Sequence, residues 1–298
     1  MNSFTFIYII GVFIILNLFQ GFTNISLENQ LIYSSILILL LGIPHGAIDH
    51  VLFFKKRKMS QLKFYIIYLG LSFLFVILWH ILPVTSLILF LLISAFHFGE
   101  SQFADIFFKK SLRFIFYFFW GLCLLSTLMY YNVSELYDIT SYFDDTIVLD
   151  KIYNREKIGV FFYITNVVTI LSIIALTYLK KINNDRLFSE LFLLFLIHAT
   201  FYLFPFIIGF TLYFVALHSI KVMNDEFKFL KDENNNFNIM SFLKLLAPYS
   251  ILSIIGTSFL LVLSYYNYIP YSIPFLAIII ISVITLPHAI VMNIFYNE

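Results

Sequence analysis

Residues 64–81 read FYIIYLGLSFLFVILWHI, a run of 18 positions with no Asp, Glu, Lys or Arg. A helix needs about 20 predominantly apolar residues to cross the ~30 Å hydrocarbon layer of a membrane. Similar runs recur along the chain, which is 61% hydrophobic and 12% charged and has a mean hydropathy of +0.93. A soluble domain is roughly 45–50% apolar and about a quarter charged. This composition excludes a water-soluble fold and predicts an all-α, polytopic transmembrane helix bundle, with residues 1–298 as one integral membrane domain.

Charge clusters and polar stretches divide the sequence into about ten predicted spans. The first has no basic residue before it and no A-x-A-like cleavage site after it, so we expect it to be retained as a helix. Residues 203–206 (Leu-Phe-Pro-Phe) are predicted to form a tight turn, whereas a proline kink within one long helix would invert the topology that follows. The predicted spans are residues 4–22, 31–53, 64–81, 83–108, 113–132, 158–179, 188–204, 205–223, 242–265 and 273–296.

Basic residues are concentrated in every second predicted loop. The loops at 54–63, 109–113 and 180–187 are rich in Lys and Arg, whereas the loop at 133–157 is rich in acidic residues. Because cytoplasmic loops hold an excess of Lys and Arg, we expect both termini to be cytoplasmic in a multi-pass protein of the inner (plasma) membrane. The net charge of +1 gives no reason to expect a nucleic-acid partner. The single cysteine, Cys123, excludes an intrachain disulfide or a thiolate metal site.

Seven histidines occur, and nearly all lie inside apolar spans, where ionisable groups are costly and usually face the bundle interior or a cavity. Counted from the cytoplasmic end at ~1.5 Å per residue, four of them lie about 8–16 Å deep and His198 lies at about 15 Å. His80 and His50 fall near opposite faces. A shared metal or cofactor site is therefore expected, the alternative being that each histidine only hydrogen-bonds a neighbouring helix. The four are His45, His97, His218 and His288.

Small residues and prolines adjoin these histidines. Pro44 precedes His45, and Pro287 precedes His288. A proline removes a backbone hydrogen bond and tends to kink its helix, which is either a means of aiming an imidazole or an ordinary feature of membrane helices. Glycines at 46 and 99 leave room for close helix approach or for a substrate beside a metal.

Two carboxylates follow histidines at helical spacing. Asp49 is four residues after His45, and Glu100 is three residues after His97, so each pair is expected to share a helix face. We predict that these carboxylates accept hydrogen bonds from this or a neighbouring imidazole, as metal-bound histidines usually require. The alternative is that they are capping or interfacial groups.

Four segments together resemble a known family. They are GIPHGAIDH at 42–50, HFGE at 97–100, LHS at 217–219 and LPH at 286–288. In this order, and over nearly the whole chain, they resemble the Brp/Blh-type membrane β-carotene 15,15′-dioxygenases of bacteria and archaea. The resemblance implies cleavage of the central double bond of β-carotene by O₂ into two retinals, at a non-haem iron(II) held by histidines from several helices. His45 and His97 carry over directly.

One position departs from the family pattern. His218 matches the first histidine of a segment that usually reads HSxxH, but Val222 stands where the second is expected. His288 is predicted to complete the iron site because of its depth, with His198 in reserve. The resemblance implies β-carotene and O₂ as substrates met within membrane lipid, and it leaves open a hand-off of retinal to a rhodopsin apoprotein. A different carotenoid, or a diverged and inactive member of the family, also stays open.

Other functions compatible with buried histidines remain as alternatives. A transporter or channel would use His, Asp and Glu as a proton or ion relay, but a relay should distribute them through the membrane depth. A bis-histidine haem protein needs only two facing histidines. A membrane di-iron desaturase is disfavoured because its HxxHH boxes are absent, and His45 and His50, five residues apart, do not share a helix face.

Overall fold

The computed structural model describes residues 3–18, 25–106 and 109–297, and in these ranges the chain forms helices without strands. Short π-helical and 3₁₀ segments interrupt or join the α-helices at Ile38–Gly42, Ile43–Gly46, Ile147–Ile152 and Tyr213–Ser219. The α-helices are α1 (Ser3–Leu18), α2 (Leu27–Leu37), α3 (Asp49–Lys56), α4 (Gln61–Ile81), α5 (Pro83–Phe103), α6 (Lys110–Tyr131), α7 (Val133–Tyr142), α8 (Arg155–Tyr178), α9 (Asn184–Leu203), α10 (Phe206–Leu212), α11 (Ile220–Glu233), α12 (Ile239–Tyr265) and α13 (Ile273–Asn297).

The predicted membrane-spanning architecture is confirmed. Among the described residues, nine helical segments are long and apolar enough to cross a membrane, and two of them, Leu27–Lys56 and Phe206–Glu233, each combine several helical pieces. The 16-residue α1 is a further, shorter apolar helix. These ten segments correspond to the ten predicted spans. The predicted ends at 19–22 and 107–108 lie outside the described residues.

The chain reverses direction at Pro205. Helix α9 ends at Leu203 and α10 begins at Phe206, with extended backbone between them. The Phe206 N–H donates to Glu135 Oε2 at 2.6 Å. Arg186, near the start of α9, and Lys221, on α11, both donate to carbonyls at the C-terminal end of α5. The start of α9 and the middle of the following span therefore lie at the same end of the bundle. The break is a turn between two helices, as predicted.

The two ends of the bundle are held by different contacts. At one end Lys55 pairs with Glu233 at 2.7 Å, joining α3 to α11. The basic loops at 54–63, 109–113 and 180–187 are at this end, where Arg186 contacts Asp105 and Lys56 packs over Phe295. We call this end the basic face. At the opposite end Gln30 Nε2 donates to Glu135 Oε1 at 3.0 Å, and the Ser272 N–H donates to Asp145 Oδ2 at 2.6 Å.

Helices α5 and α6 pack with their backbones in contact. A side chain at Gly99 would overlap the carbonyl of Tyr117, and one at Gly121 would overlap the carbonyl of Ala95. Neither carbonyl is able to move away as a flexible side chain would, so both positions require glycine. Of the two roles open to Gly99 in the sequence, close helix approach is therefore the one that the fold uses.

The orientation in the membrane stays a prediction with a direct test. Ser60 and Asp144 are both exposed, on the basic face and in the acidic loop respectively, while the native Cys123 is buried. We expect an impermeant thiol reagent added outside spheroplasts to label Asp144→Cys and to spare Ser60→Cys until the membrane is permeabilised. External labelling at position 60 would reverse the predicted topology.

Candidate metal centre

Four histidines from four membrane spans meet inside the bundle. Their ring centroids are separated by 4.6 Å for His45 and His288, 4.9 Å for His97 and His288, 4.7 Å for His97 and His218, and 5.2 Å for His45 and His218. One ligand atom from each of His45, His97 and His288 lies within 4.8 Å of the others. His218 stands beside this triad. All four side chains are buried.

Irregular helix geometry places two of the four rings. His45 lies in the 3₁₀ segment Ile43–Gly46, directly after a π-helical turn, and His218 lies in the π-helical segment Tyr213–Ser219. Short π-helical insertions often occur at functional sites. His288 follows Pro287 inside α13, and His97 lies within regular α5. The sequence pointed to the prolines, but it gave no signal for the π-helical turn that carries His218.

A carboxylate orients the His288 ring. His288 Nδ1 donates to Asp49 Oδ1 at 2.8 Å, and Tyr68 Oη donates to Asp49 Oδ2 at 2.7 Å. With its proton on Nδ1, the His288 ring presents Nε2 as a lone pair. Such a carboxylate–imidazole pair fixes the tautomer and raises the basicity of a metal-binding histidine.

Two further rings are oriented by neutral acceptors. Ser101 Oγ donates its one proton to the Phe98 carbonyl at 3.0 Å, so its lone pair accepts from His218 Nδ1 at 3.0 Å. His45 Nδ1 donates to the carbonyl of Gly42. In both rings Nε2 is again left without a proton.

Four of the remaining ring nitrogens are buried and have no hydrogen-bond partner in the described part of the chain. They are His97 Nδ1, His97 Nε2, His218 Nε2 and His288 Nε2. An unpaired buried polar atom carries a desolvation cost, and native proteins rarely leave several together. Neutral imidazole suits iron, copper, zinc and nickel. The donor set therefore fits a transition-metal cation held between the rings.

Of the two predicted carboxylate partners, Asp49 accepts from a neighbouring imidazole, as one form of the prediction had it, and Glu100 accepts from asparagines instead. Asp49 bonds His288 and not His45, because the 3₁₀ segment and the non-helical Ile48 (φ −110°, ψ 19°) separate it from His45 and the i, i+4 relation does not hold. Glu100 Oε1 accepts from the Nδ2 atoms of Asn293 and Asn297, each at 2.6 Å. Glu100 thus ties α5 to α13 and does not hydrogen-bond a histidine.

The other three histidines have separate surroundings. His198, the reserve ligand, has Nε2 2.9 Å from Asn166 Oδ1 and Nδ1 3.2 Å from Tyr131 Oη, so it links α6, α8 and α9. His80 Nδ1 lies 2.9 Å from Tyr271 Oη. The His50 ring packs against Tyr249, with centroids 4.5 Å apart. These three histidines contact side chains of neighbouring helices and lie outside the cluster, which is the structural role that the sequence left open for every histidine.

Two site residues were not singled out from the sequence. Ser101 and Tyr68 are ordinary polar side chains in apolar spans, and only their contacts with His218 and Asp49 mark them. A signal was present for Ser101, which follows His97 by four residues and so lies on its helix face. Gly46 packs directly against the His288 ring, since a Cβ atom at position 46 would come within 3.2 Å of His288 Nδ1.

Replacing Asp49 tests the orientation of His288. Asp49→Ala removes the acceptor of His288 Nδ1, and we expect the affinity for iron(II) to fall about 10–100-fold. Tyr68→Phe leaves the His288–Asp49 contact in place and should reduce the affinity less. Anaerobic iron titration of both variants measures the difference. Equal affinities in wild type and Asp49→Ala would show that His288 needs no such support.

Comparison with known proteins adds independent information on this site. A sequence model of the family described as beta-carotene 15,15′-dioxygenase matches residues 36–296, a range that includes all four histidines. A curated beta-carotene 15,15′-dioxygenase from uncultured marine bacterium 66A03 is 40% identical over 72 residues, which cover 22% of this chain and 26% of that protein. No solved structure matches. The extent of the family match shows that the chain belongs to the beta-carotene 15,15′-dioxygenase family.

Proposed function

We propose that this protein is a membrane dioxygenase that binds non-haem iron(II) and cleaves β-carotene with O₂ at the 15,15′ double bond to give two retinals. The observation that carries the proposal is the cluster of four buried histidines, three of which have buried ring nitrogens with no hydrogen-bond partner among the described residues, within the region that matches the family. His45, His97, His218 and His288 are the proposed ligands. The family description supports β-carotene as the substrate and the 15,15′ bond as the position of cleavage. The histidine donor set supports a metal, and iron(II) and retinal are the finer parts of this proposal.

The proposed reaction balances without another reactant. The central carbon–carbon double bond of the polyene breaks, both atoms of O₂ are incorporated, and each half of the substrate ends in one aldehyde. No external reductant, proton donor or leaving group is required. The iron, when bound, would supply the redox-active centre that brings O₂ into reaction with a polyene.

The protein's own residues would hold and shield that centre. Four neutral imidazoles leave the positive charge of a ferrous ion intact, because none contributes a formal negative charge. Phe98 packs edge-on against His218 at 4.8 Å between centroids, and Phe214 lies 5.5 Å from His45 and 5.6 Å from His218. These aromatic walls exclude water and match the flat, apolar surface of a carotenoid.

We include His218 as the fourth ligand although it lies outside the tightest group of ligand atoms. Its Nδ1 is held by Ser101, and its Nε2 is buried without a partner. Its ring also contacts two members of the triad edge-to-face. The close edge-to-face packing suits a single ion and leaves no planar gap for a porphyrin.

Expression in cells that accumulate β-carotene tests the activity. We expect β-carotene to disappear and retinal to appear as the only aldehyde product, in a ratio of two retinals per carotene, and purified protein to contain iron without a haem absorbance band. Shorter or unequal aldehydes would indicate another cleavage position. Unchanged carotene with iron-loaded protein would contradict the dioxygenase assignment. It would favour the reading of this chain as a diverged, inactive member.

A further inference from the structure

Polar side chains continue from the histidine cluster toward the basic face on all four histidine-bearing spans. Asp49 and Glu100 follow His45 and His97 within about one turn, and Glu226 follows His218 by two turns, about 12 Å along the helix axis. On α13, Asn293 and Asn297 come after His288 in the same direction and bond Glu100. Carboxylates at positions 49, 100 and 226 are at most 3% exposed.

Glu226 has no structural explanation among these acids. Both of its carboxylate oxygens are buried and lack a hydrogen-bond partner in the described ranges, and Glu100 Oε2 is in the same situation. By contrast, Glu190, another buried acid, is paired with Arg186 at 2.7 Å and accepts from Gln102. A buried carboxylate without a partner is costly, and such groups within membrane spans usually serve function.

The two acids with unpartnered oxygens, Glu226 and Glu100, lie on helices that meet the end of α13 near the basic face. On α13, Tyr296 hydrogen-bonds Asp225, which is next to Glu226 on α11, and the adjacent Asn297 donates to Glu100 Oε1 on α5 at 2.6 Å. Tyr296 Oη donates to Asp225 Oδ2 at 3.3 Å, and the Asp225 side chain is 28% exposed. The carboxylates therefore lead from a partly exposed group at the basic face, through Glu226, to residues beside the histidines.

A cation that moves from solvent to the histidine cluster needs such a route. A hydrated divalent ion loses its water shell when it enters a dry bundle, and carboxylate oxygens replace that water at intermediate positions. The exposed side chains of the spans include many Phe, Ile, Leu and Val residues, which offer no such groups. Among the described residues, the acids do not form a compact group of three or more ligand atoms like that of the histidines. This arrangement suits passage and not permanent binding.

We propose that Glu226 and Glu100 form an entry path by which a divalent cation passes between the basic face and the histidine cluster. The proposal rests on the metal centre proposed above. Both side chains act on the rate of metal exchange, because neither carboxylate hydrogen-bonds one of the four histidines. The equilibrium affinity of the centre is set by the four imidazoles.

Metal exchange in the purified, full-length protein tests the path. Iron(II) is added anaerobically to the metal-free protein in detergent, and bound iron is measured against time after rapid desalting; release is then followed with an excess of a ferrous chelator. Glu226→Gln and Glu100→Gln each replace an ionisable carboxyl with a neutral amide of similar shape, and Gln at 100 retains the oxygen that accepts from the two asparagines. Glu233→Gln is the matched control, since it removes a charge from α11 at the solvent-exposed pair with Lys55.

We expect loading and release to slow by the same factor, about tenfold or more, in Glu226→Gln and Glu100→Gln, with unchanged final occupancy, because one path serves both directions. Glu233→Gln should exchange iron like wild type. Unchanged rates in both path variants overturn the proposal, and so does a lower final occupancy, which would make these acids supports of the site. Wild type that never takes up iron would instead refute the metal centre itself. Two separate variants cover the case in which one fails to fold.

Discussion

Replacing His97 with alanine is expected to abolish bound iron and carotene cleavage together. Both nitrogens of the His97 ring are buried and have no hydrogen-bond partner among the residues that the structure describes, and the ring contacts both His218 and His288 at centroid distances below 5 Å. Removal of a ligand leaves an incomplete coordination shell around the ion. The packing of α5 is affected less, because it loses only one side chain. We expect iron to fall below detection in purified His97→Ala. Retinal production in carotene-accumulating cells should fall to background, and His45→Ala should behave in the same way.

Two histidines outside the cluster provide matched controls. His80→Ala should retain iron and activity, because His80 bonds Tyr271 at the end of the bundle opposite the basic face. His198→Ala should lower thermal stability by disturbing the contacts with Asn166 and Tyr131, but the protein that folds should bind iron at wild-type occupancy. Equal loss of iron from His97→Ala, His80→Ala and His198→Ala would mean that the histidines serve folding and not ligation.

The histidine cluster itself was within reach of the sequence because membrane depth is a one-dimensional quantity. Spans must cross a layer of fixed thickness, so the position of a residue along its span gives its depth without any knowledge of packing. His45, His97, His218 and His288 share a depth range, and the fold brings them together. His198 has a similar predicted depth but lies on α9 and packs between α6 and α8, so depth alone did not separate it from the cluster.

The contacts around the histidines were less predictable because they depend on local backbone geometry. The rule that residues four apart share a face assumes a regular α-helix. The rule fails for His45 and Asp49, because a 3₁₀ segment lies between them. Asp49 instead contacts His288, which lies 239 residues later in the sequence. Likewise, no local pattern shows that Glu100 meets Asn293 and Asn297. Contacts between distant spans are set by packing, which a single sequence does not display.

The π-helical segment also affects the position of Val222 relative to His218. In a regular helix, position 222 would stand one turn from His218 on the same face. Here the Ile220 N–H bonds the carbonyl of Val215, five residues back, at the end of the π-helical segment. Val222 is fully buried in an apolar cluster that includes Ile48, Leu52 and Met292. Position 222 is thus enclosed by apolar side chains, whereas His288 lies in the histidine cluster.

We therefore expect Val222→His to damage the protein and not to improve its metal site. An imidazole in this cluster would be buried without an evident partner, at a cost of about 1–3 kcal/mol by mutational measurements. Its larger volume would add about 1–3 kcal/mol of overpacking. Val222→Leu is the matched control for volume, because it enlarges the side chain without adding a polar group. Thermal unfolding should show a lower midpoint for Val222→His than for Val222→Leu, with iron occupancy per folded chain equal to wild type or lower. Higher iron occupancy and higher retinal yield in Val222→His would show instead that the wild-type centre lacks a ligand, and His288 would then lose its proposed place in it.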